Sequence, residues 1–272
     1  MKNDCSSILV IGAGGLIGQA LVSCGLRGSP HDILRGDGVP DDVRTIIHAG
    51  RDPRLGREDY EIDEDIENIA AGIAAERGLD YLMLSSRKVY GEAPSPIAEE
   101  APPRPNDAYG RQKRAMEMRL LEKLGSRLTI LRIANVFSFE PGRRSFFGIM
   151  LDRLRERDEI LFDMSPETAR DFIPLHTAAG IIASLALSPP GGIVNIGSGI
   201  PLPTGDLARA LIAGHGSGRL ACSDYTIRDA FVLDVARMYA LTGIRLTREQ
   251  LLASARDIGA ALHTDRERPA LS

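Results

Sequence analysis

The sequence is short of several things, and each shortage excludes a class of protein. It has three cysteines in 272 residues: Cys5, Cys24 and Cys222. The number is odd and the spacing fits no metal site. That excludes a disulfide framework and predicts reduced thiols in a cytoplasmic protein. No group of His, Cys or carboxylate residues has metal-ligand spacing, so no metal is expected. Basic residues are not in excess. The formal net charge is −4, and the lack of a polybasic stripe argues against nucleic acid as a partner. No apolar run approaches the length of about 20 residues that spans a bilayer, so no membrane association is expected. Met1 to Ser7 runs directly into an apolar stretch and leaves no room for a signal peptide. Internal repeats and low-complexity segments are missing too. The length suits one large domain, or one domain with a smaller lobe.

What is present begins at Ile8. Four consecutive large apolar residues, Ile8 to Ile11, read as a strand buried on both faces. Gly12, Gly15 and Gly18 follow at a spacing of three, and a helix-compatible run starts at Leu16 and Ile17. Strand, glycine turn and helix in that order form the setting of a dinucleotide site. Gly12 permits a tight turn, Gly15 lets the backbone approach a pyrophosphate, and Gly18 lets helix and strand pack closely. The free N–H groups at the helix start, at the positive end of its dipole, would hold phosphates.

Further along, the pattern predicts a second strand at His31–Leu34 and a polar, glycine-rich loop after it. A buried strand over Thr45–His48 then ends at the small residues Ala49 and Gly50. The interval between these strands is too short for a full helical crossover, so the sheet is abbreviated on that side. Asp63–Arg77 carries a helical stripe of Ile66, Ile69, Ala70, Ile73 and Ala74. Tyr81–Ser86 is a strand ending in hydroxyls. A proline-rich loop leads to a helix capped by Asn106 or Asp107 and running to about Leu124. Strands at Leu128–Ile133, Glu159–Phe162 and Ile193–Ile196 alternate with helices near 145–156, 177–187, 204–213, 234–241 and 247–262. The fold class is α/β: a mostly parallel, doubly wound Rossmann sheet with a smaller C-terminal lobe over the strand ends, where ligands bind in such sheets.

Tyr109 and Lys113 are four apart on one helix, hence on one face with Cβ atoms about 5–6 Å apart. An ammonium there favours the phenolate and lowers the phenol's pKa from about 10, which makes Tyr109 a proton donor and acceptor. Ser85 and Ser86 end a strand whose carboxyl edge faces a cofactor in this class. Ser86 is taken as the hydroxyl that shares a substrate oxygen with Tyr109, although the period of the strand does not separate the two. His48, at a strand end, reads as packed or bonded to backbone, and His176 as a helix-start residue.

Gly12-x-x-Gly15-x-x-Gly18, Ser85-Ser86-Arg-Lys-Val-Tyr90-Gly91 and Tyr109-Gly-x-x-Lys113-x-x-x-Glu117 resemble the three landmarks of the extended short-chain dehydrogenase/reductase family. Leu131-Arg-Ile-Ala-Asn135-Val-Phe137, Arg170-Asp-Phe-Ile and Gly192-Ile-Val-Asn195-Ile-Gly197-Ser-Gly199 resemble its later segments in the right order. The resemblance implies an NAD(P)-dependent enzyme acting on nucleotide-sugars. It implies Tyr109 as acid/base, Lys113 as the contact to the nicotinamide ribose, and Ser86 as the group orienting the reacting oxygen. Gly12, Gly15, Leu16, Ile17, Gly18, Arg35 and Ala49 join Tyr109 and Lys113 as cofactor contacts. Ser86, Asn135 and Arg170 would face the substrate, Arg170 near its phosphates, where a planar fork of donors suits the task. Arg228 is a second candidate for the same diphosphate. The alternative for Arg170 is an ion pair with Asp171 or another acid. In domain terms, 1–136 with 171–197 would bind NAD(P), 137–170 with 198–262 would bind the nucleotide-sugar, and 263–272 would be a tail. A homodimer through the helices at 63–77 and 106–124 is also implied.

Departures from the family pattern narrow the reaction. Sugar dehydratases carry an Asp-Glu pair where this chain has Arg87-Lys88. The cysteine of C3/C5 epimerases and the Glu of decarboxylating members are missing as well. What remains is redox at one sugar carbon, C4. NADP(H) from solution would give 4-ketoreduction of an NDP-hexose. The alternative is 4-epimerisation with NAD(H) held in place. An arginine at the end of the second strand suits a 2′-phosphate, so Arg35 points to NADPH, while Asp37 is compatible with NAD. A reading of another class is a catalytically silent redox sensor.

Overall fold

The computed structural model describes residues 4–35 and 38–267. Asp37 and residues 268–272 of the expected tail lie outside them. From Ile8 the chain runs through β1 (Ile8–Ile11), α1 (Leu16–Ser23), β2 (Arg27–Ser29), β3 (Thr45–His48), α2 (Ile66–Arg77), β4 (Asp80–Ser86), α3 (Ala108–Leu124) and β5 (Leu128–Ile133). It continues through β6 (Asn135–Phe137), α4 (Phe146–Arg157), β7 (Glu159–Phe162), β8 (Ala169–Arg170), β9 (Phe172–Pro174), α5 (Leu175–Leu187) and β10 (Gly192–Ile196). The last elements are β11 (Leu202–Pro203), α6 (Thr204–His215), β12 (Arg219–Cys222), α7 (Ala236–Thr242) and α8 (Arg248–Glu267). No described helix is long and apolar enough to cross a membrane.

The chain divides into two compact units. The first comprises Met1–Ala134, Leu175–Ile196 and Leu233–Ile244. It is built on a six-stranded sheet in the order β10-β5-β4-β3-β1-β2, with every neighbouring pair parallel. Every residue of β1, β3 and β5 is buried. Strands covered on both faces need residues that can be buried at successive positions: β1 is a continuous apolar run, while β3 and β5 are mostly apolar and bury Thr45, His48, Thr129 and Arg132 as well. The segment 233–244, read from sequence into the smaller lobe, belongs with the sheet. Asn195 Nδ2 donates to the Asp234 carbonyl at 3.0 Å, and Arg237 donates to the Gly191 carbonyl at 2.8 Å.

Two expectations are corrected here. The second strand is Arg27–Ser29, in register with Leu9–Ile11, and His31–Leu34 is a 3-10 turn that Arg35 closes. Helix α1 stops at Ser23, which brings the strand forward. Pro30, which has no N–H to give, ends it. Ile33 and Leu34 still reach the core, but from the turn. Arg35 therefore does not end a strand, and the preference for NADPH drawn from it loses its basis. The second correction concerns α2. Its buried residues are Glu67, Asn68, Ala70, Ala71 and Ala74, while Ile69 is 39 % exposed. Ala70, Ile73 and Ala74 of the expected stripe face the core, but Ile69 does not, and the Glu67 carboxylate faces inward as well. As expected, no α-helix is found between β2 and β3 among the described residues.

The second unit comprises Asn135–Pro174, Gly197–Val232 and Arg245–Ser272. It contains three two-stranded pairs, β6 with β9 and β7 with β12 parallel, and β8 with β11 antiparallel. Its core gathers Phe137, Phe147, Phe162 and Phe172 with leucines of α4, α6 and α8. Helix α8 runs to Glu267, beyond the stop read at residue 262. Pro203 precedes α6 as its cap, and the Thr204 hydroxyl donates to the Pro166 carbonyl at 3.3 Å.

Candidate active site

The glycine turn after β1 is held by contacts that only glycine allows. Gly12 sits at φ +85°, and a Cβ on it would lie 2.6 Å from the Gly50 nitrogen. A Cβ on Gly18 would collide with the Gly12 carbonyl oxygen. Gly15 differs. A Cβ there would have only Gly12 and Ala49 carbonyl oxygens nearby, at 3.5 and 3.6 Å, which is ordinary contact. Gly15 is also the cap residue of α1, so the unpaired N–H groups of the first turn, from Leu16 on, lie beside it. A cradle that the protein itself leaves open at Gly15, facing a helix start, fits a dinucleotide pyrophosphate. Ala49 closes the turn from the neighbouring strand, donating its N–H to the Ile11 carbonyl at 2.8 Å. His31 overhangs Gly50, where a Cβ would collide with the His31 ring.

The two glycines should therefore respond differently to alanine. Gly18→Ala is expected to cost about 1–3 kcal/mol through overpacking and to lower the thermal midpoint. Gly15→Ala is expected to keep that midpoint and weaken dinucleotide binding by ~10-fold or more. Thermal unfolding and a dinucleotide titration on both variants check this.

At the end of β4 the two serines separate. Ser85 is buried and donates to Glu117 Oε1 at 2.7 Å. Ser86 is half-buried and caps the turn Arg87–Val89, its Oγ accepting from the Lys88 N–H at 3.3 Å. That bond leaves the Ser86 hydroxyl proton for another acceptor. Helix α3 packs on this same turn. Its Gly110 lies so near the Lys88 carbonyl that a Cβ would come within 2.5 Å. Asp107 caps the helix, accepting from the Gly110 N–H at 2.7 Å, and pairs with Lys88. Tyr109 precedes Gly110 in the first turn of α3. The Arg51 guanidinium lies 5.2 Å from the centre of the Tyr109 ring, a contact that the sequence did not announce.

Lys113, one turn further on, is buried and not alone. Its Nζ donates to Glu67 Oε2 at 3.1 Å, with the two side chains 7 % and 3 % exposed. His48 Nδ1 lies 3.7 Å from Glu67 Oε1, and neither His48 nitrogen has a hydrogen-bond partner among the described residues. His48 is thus neither bonded to backbone nor inert packing; it faces a carboxylate. Burial pushes the Glu67 carboxyl up, but the Lys113 charge and then the His48 ring bring it below its ordinary value. Burial pushes the Lys113 ammonium down, and Glu67, followed by Tyr109, more than offsets that. Burial and then His48 hold the His31 ring below its usual range.

Glu117, four residues beyond Lys113, serves the scaffold. It accepts from Arg132 Nε at 3.0 Å and Nη2 at 2.7 Å, from Arg114 at 3.1 Å and from Ser85. Arg132 also lies 4.5 Å from the centre of the Tyr90 ring. The Tyr90 hydroxyl donates to Asn195 Oδ1 at 2.7 Å. This buried fork ties the Ser86 strand to α3.

Asn135, Arg170 and Arg228 belong to the second unit. Asn135 donates its N–H to the Asp171 carbonyl at 3.2 Å. Arg170 is buried, donating from Nε to the Asp229 carbonyl and from Nη2 to the Arg228 carbonyl, each at 3.1 Å. Its Nη2 lies 3.6 Å from Asp229 Oδ2. Asp171 instead accepts from the Ser198 N–H and hydroxyl and the Gly199 N–H. Arg228 is the more open of the two arginines, with its side chain 53 % exposed and paired to Asp224. The cysteines are free, and the described residues hold no group of three that could bind a metal.

Residues 55–164 match the family model of the RmlD substrate binding domain. A comparison with curated protein sequences finds no match. Among solved structures, the chain superposes on RMD from Pseudomonas aeruginosa complexed with NADPH with a TM-score of 0.78 at 20 % identity, covering 96 % of this chain and 100 % of that one. The UDP-N-acetylglucosamine 4-epimerase from Methanobrevibacter ruminantium M1 gives 0.77 at 16 % identity, covering 97 % and 100 %. MoeE5 in complex with UDP-glucuronic acid and NAD gives 0.75 at 21 % identity, covering 94 % and 99 %. At these identities the likeness is one of fold, and the chain shares the α/β fold of these enzymes.

Proposed function

We propose that this chain is an NAD(P)-dependent nucleotide-sugar oxidoreductase, and that it reduces the 4-keto group of an NDP-(deoxy)hexose. The observation that supports this is the seating of α3 on the turn after β4, where Gly110 packs against the Lys88 carbonyl; Tyr109 precedes that glycine, Ser86 caps the turn, and Lys113 follows one helical turn on. A nicotinamide dinucleotide bound over the glycine turn supplies the hydride. The chain's own groups handle the proton. Tyr109 gives its phenolic proton to the sugar oxygen as the carbonyl becomes an alcohol. Ser86 donates to the same oxygen and orients it. Lys113 keeps two N–H donors beyond the one given to Glu67, enough for a ribose hydroxyl. In the second unit, Arg228 is the arginine open to a diphosphate, while Arg170 holds the backbone that carries it.

Where a dehydratase has its acid pair, this chain has Arg87, which is buried, and Lys88, which is paired with Asp107. Water elimination therefore lacks its groups. The alternative reading is a 4-epimerase that keeps NAD bound, favoured by the full-length superposition on a 4-epimerase. A silent redox sensor is disfavoured, since it has no use for Ser86, Tyr109 and Lys113 together. We further infer a cytoplasmic homodimer through α2 and α3, which expose Ile69, Met118 and Leu121. Light scattering should then give twice the chain mass.

The test is a panel of UDP-, GDP-, CDP- and dTDP-sugars screened by protection from thermal unfolding, followed by assay with NADPH and NADH. Protection by a keto-sugar nucleotide with consumption of added reduced dinucleotide supports the reductase. Stoichiometric NAD in the purified protein, with no net consumption, supports the epimerase. No affinity for any nucleotide-sugar rejects both.

A further inference from the structure

We propose that Arg51 is a specificity residue of the candidate active site, and that it selects a nucleotide-sugar whose hexose carries a carboxylate on the carbon next to the reacting one. The inference rests on the oxidoreductase reading above and narrows its sugar to a hexuronate.

Arg51 is set apart from the cations around it. The segment from Arg51 to Asp65 holds three arginines and seven acids. Arg54 pairs with Asp52 and Glu64, and Arg57 with Asp59. Nearer the site, Lys88 pairs with Asp107 and Lys113 with Glu67. Arg51 has no carboxylate partner among the described residues. Its Nη2 donates to the Leu55 carbonyl at 2.9 Å, and its guanidinium stands over the Tyr109 ring.

That place is built by the loop. Leu55 is buried, so the carbonyl that holds the guanidinium is anchored. The Gly56 N–H donates to Gln112 Oε1 at 2.6 Å, and Gln112 Nε2 donates to the Arg57 carbonyl at 2.7 Å. A Cβ on Gly56 would lie 3.6 Å from the Tyr109 Cβ. One amide of α3 thus clamps the loop at Gly56 and Arg57, and the cation's position against Tyr109 does not depend on the ring contact alone.

The donors that remain point to the ligand. A guanidinium has five N–H donors in a planar fork, and Leu55 takes one. The others match the two oxygens of a carboxylate. Tyr109 is the group assigned to the reacting sugar oxygen, so a cation held against its ring is within reach of the substituents that flank that oxygen. In a hexuronate the carbon beside C4 carries the carboxylate. The dinucleotide phosphates have donors of their own at the start of α1. In the reduction the hydride goes to C4 and the Tyr109 proton to its oxygen, while the carboxylate keeps its bond to C5.

The test uses pairs that differ only in the carboxylate and carry the nucleotide selected by the panel above, such as UDP-glucuronate with UDP-glucose and UDP-galacturonate with UDP-galactose. Binding is measured by calorimetry on the whole chain in the presence of oxidised dinucleotide. The wild type should bind the acidic member of a pair ~10–100-fold tighter, the worth of a charge-assisted hydrogen bond. Arg51 is exposed, so Arg51→Met should fold and keep its affinity for the neutral member, with the preference gone. Arg51→Lys keeps the charge without the fork and should retain part of the preference. A wild type that binds both members of every pair alike overturns the proposal without any variant. An Arg51→Met protein that still prefers the acidic member overturns it too. So does one that loses affinity equally for both members and for the nucleoside diphosphate alone, which would make Arg51 a phosphate contact. Binding of no nucleotide-sugar in the panel would instead sink the oxidoreductase reading, and this inference with it.

Discussion

Tyr109→Phe is expected to reduce turnover by about 10²–10⁴-fold, the usual worth of a positioned acid–base group. Dinucleotide affinity should change little. The substitution keeps the aromatic ring, so the contact with Arg51 persists. It leaves Gly110 seated on the Lys88 carbonyl, and α3 keeps its Asp107 cap. Only the phenolic oxygen is lost. The effect should fall on kcat, because the proton transfer is made only in the transition state. Binding of NADPH can be followed by its own fluorescence, with little interference, since the sequence has no tryptophan. A variant that binds dinucleotide and reduces a keto-sugar at the wild-type rate would remove Tyr109 from the mechanism.

The second large effect is on stability. Glu117→Ala should cost about 3–5 kcal/mol, the expected consequence of leaving a buried charge without its counter-ion. Arg132 is 1 % exposed, and two of its nitrogens end on Glu117. With the carboxylate gone, that guanidinium has neither water nor an acid. The face of Tyr90 remains, but a cation–π contact is worth only about 0.5–2 kcal/mol. Glu117→Leu combined with Arg132→Met should recover much of the loss, because a buried ion pair replaced by apolar groups of similar volume is often neutral. Thermal unfolding followed by far-ultraviolet circular dichroism on the two single variants and the double variant closes the cycle. Equal stability of Glu117→Ala and wild type would mean that the fork is not what ties α3 to β4.

The sequence revealed the sheet more readily than the charges beneath it. The continuous apolar run at 8–11 and the mostly apolar runs at 45–48 and 128–133 read as strands buried on both faces, and the glycine turn after the first is recognisable by its spacing. The edge strand escaped because an edge need not be apolar: Arg27 and Gly28 are exposed, and backbone pairing alone makes them a strand. Ile33 and Leu34 looked like the better strand because they reach the core, although from a turn. Tyr109, Lys113 and the hydroxyls at 85–86 were legible from their motifs, but the roles of the two serines separated only when Ser85 met Glu117. Glu67 was not legible. An acid in the first turn of an amphipathic helix is ordinarily solvated. Only the packing of α2 on β3 and α3 shows that this one faces inward.

His31 and Gly50 carry a constraint that extends past this one chain. The imidazole occupies the volume that any side chain at residue 50 would need, so the two positions must vary together. A homologue with alanine at residue 50 should carry a small residue at 31. A library randomised at residue 50 alone should return glycine almost exclusively, until residue 31 is released with it.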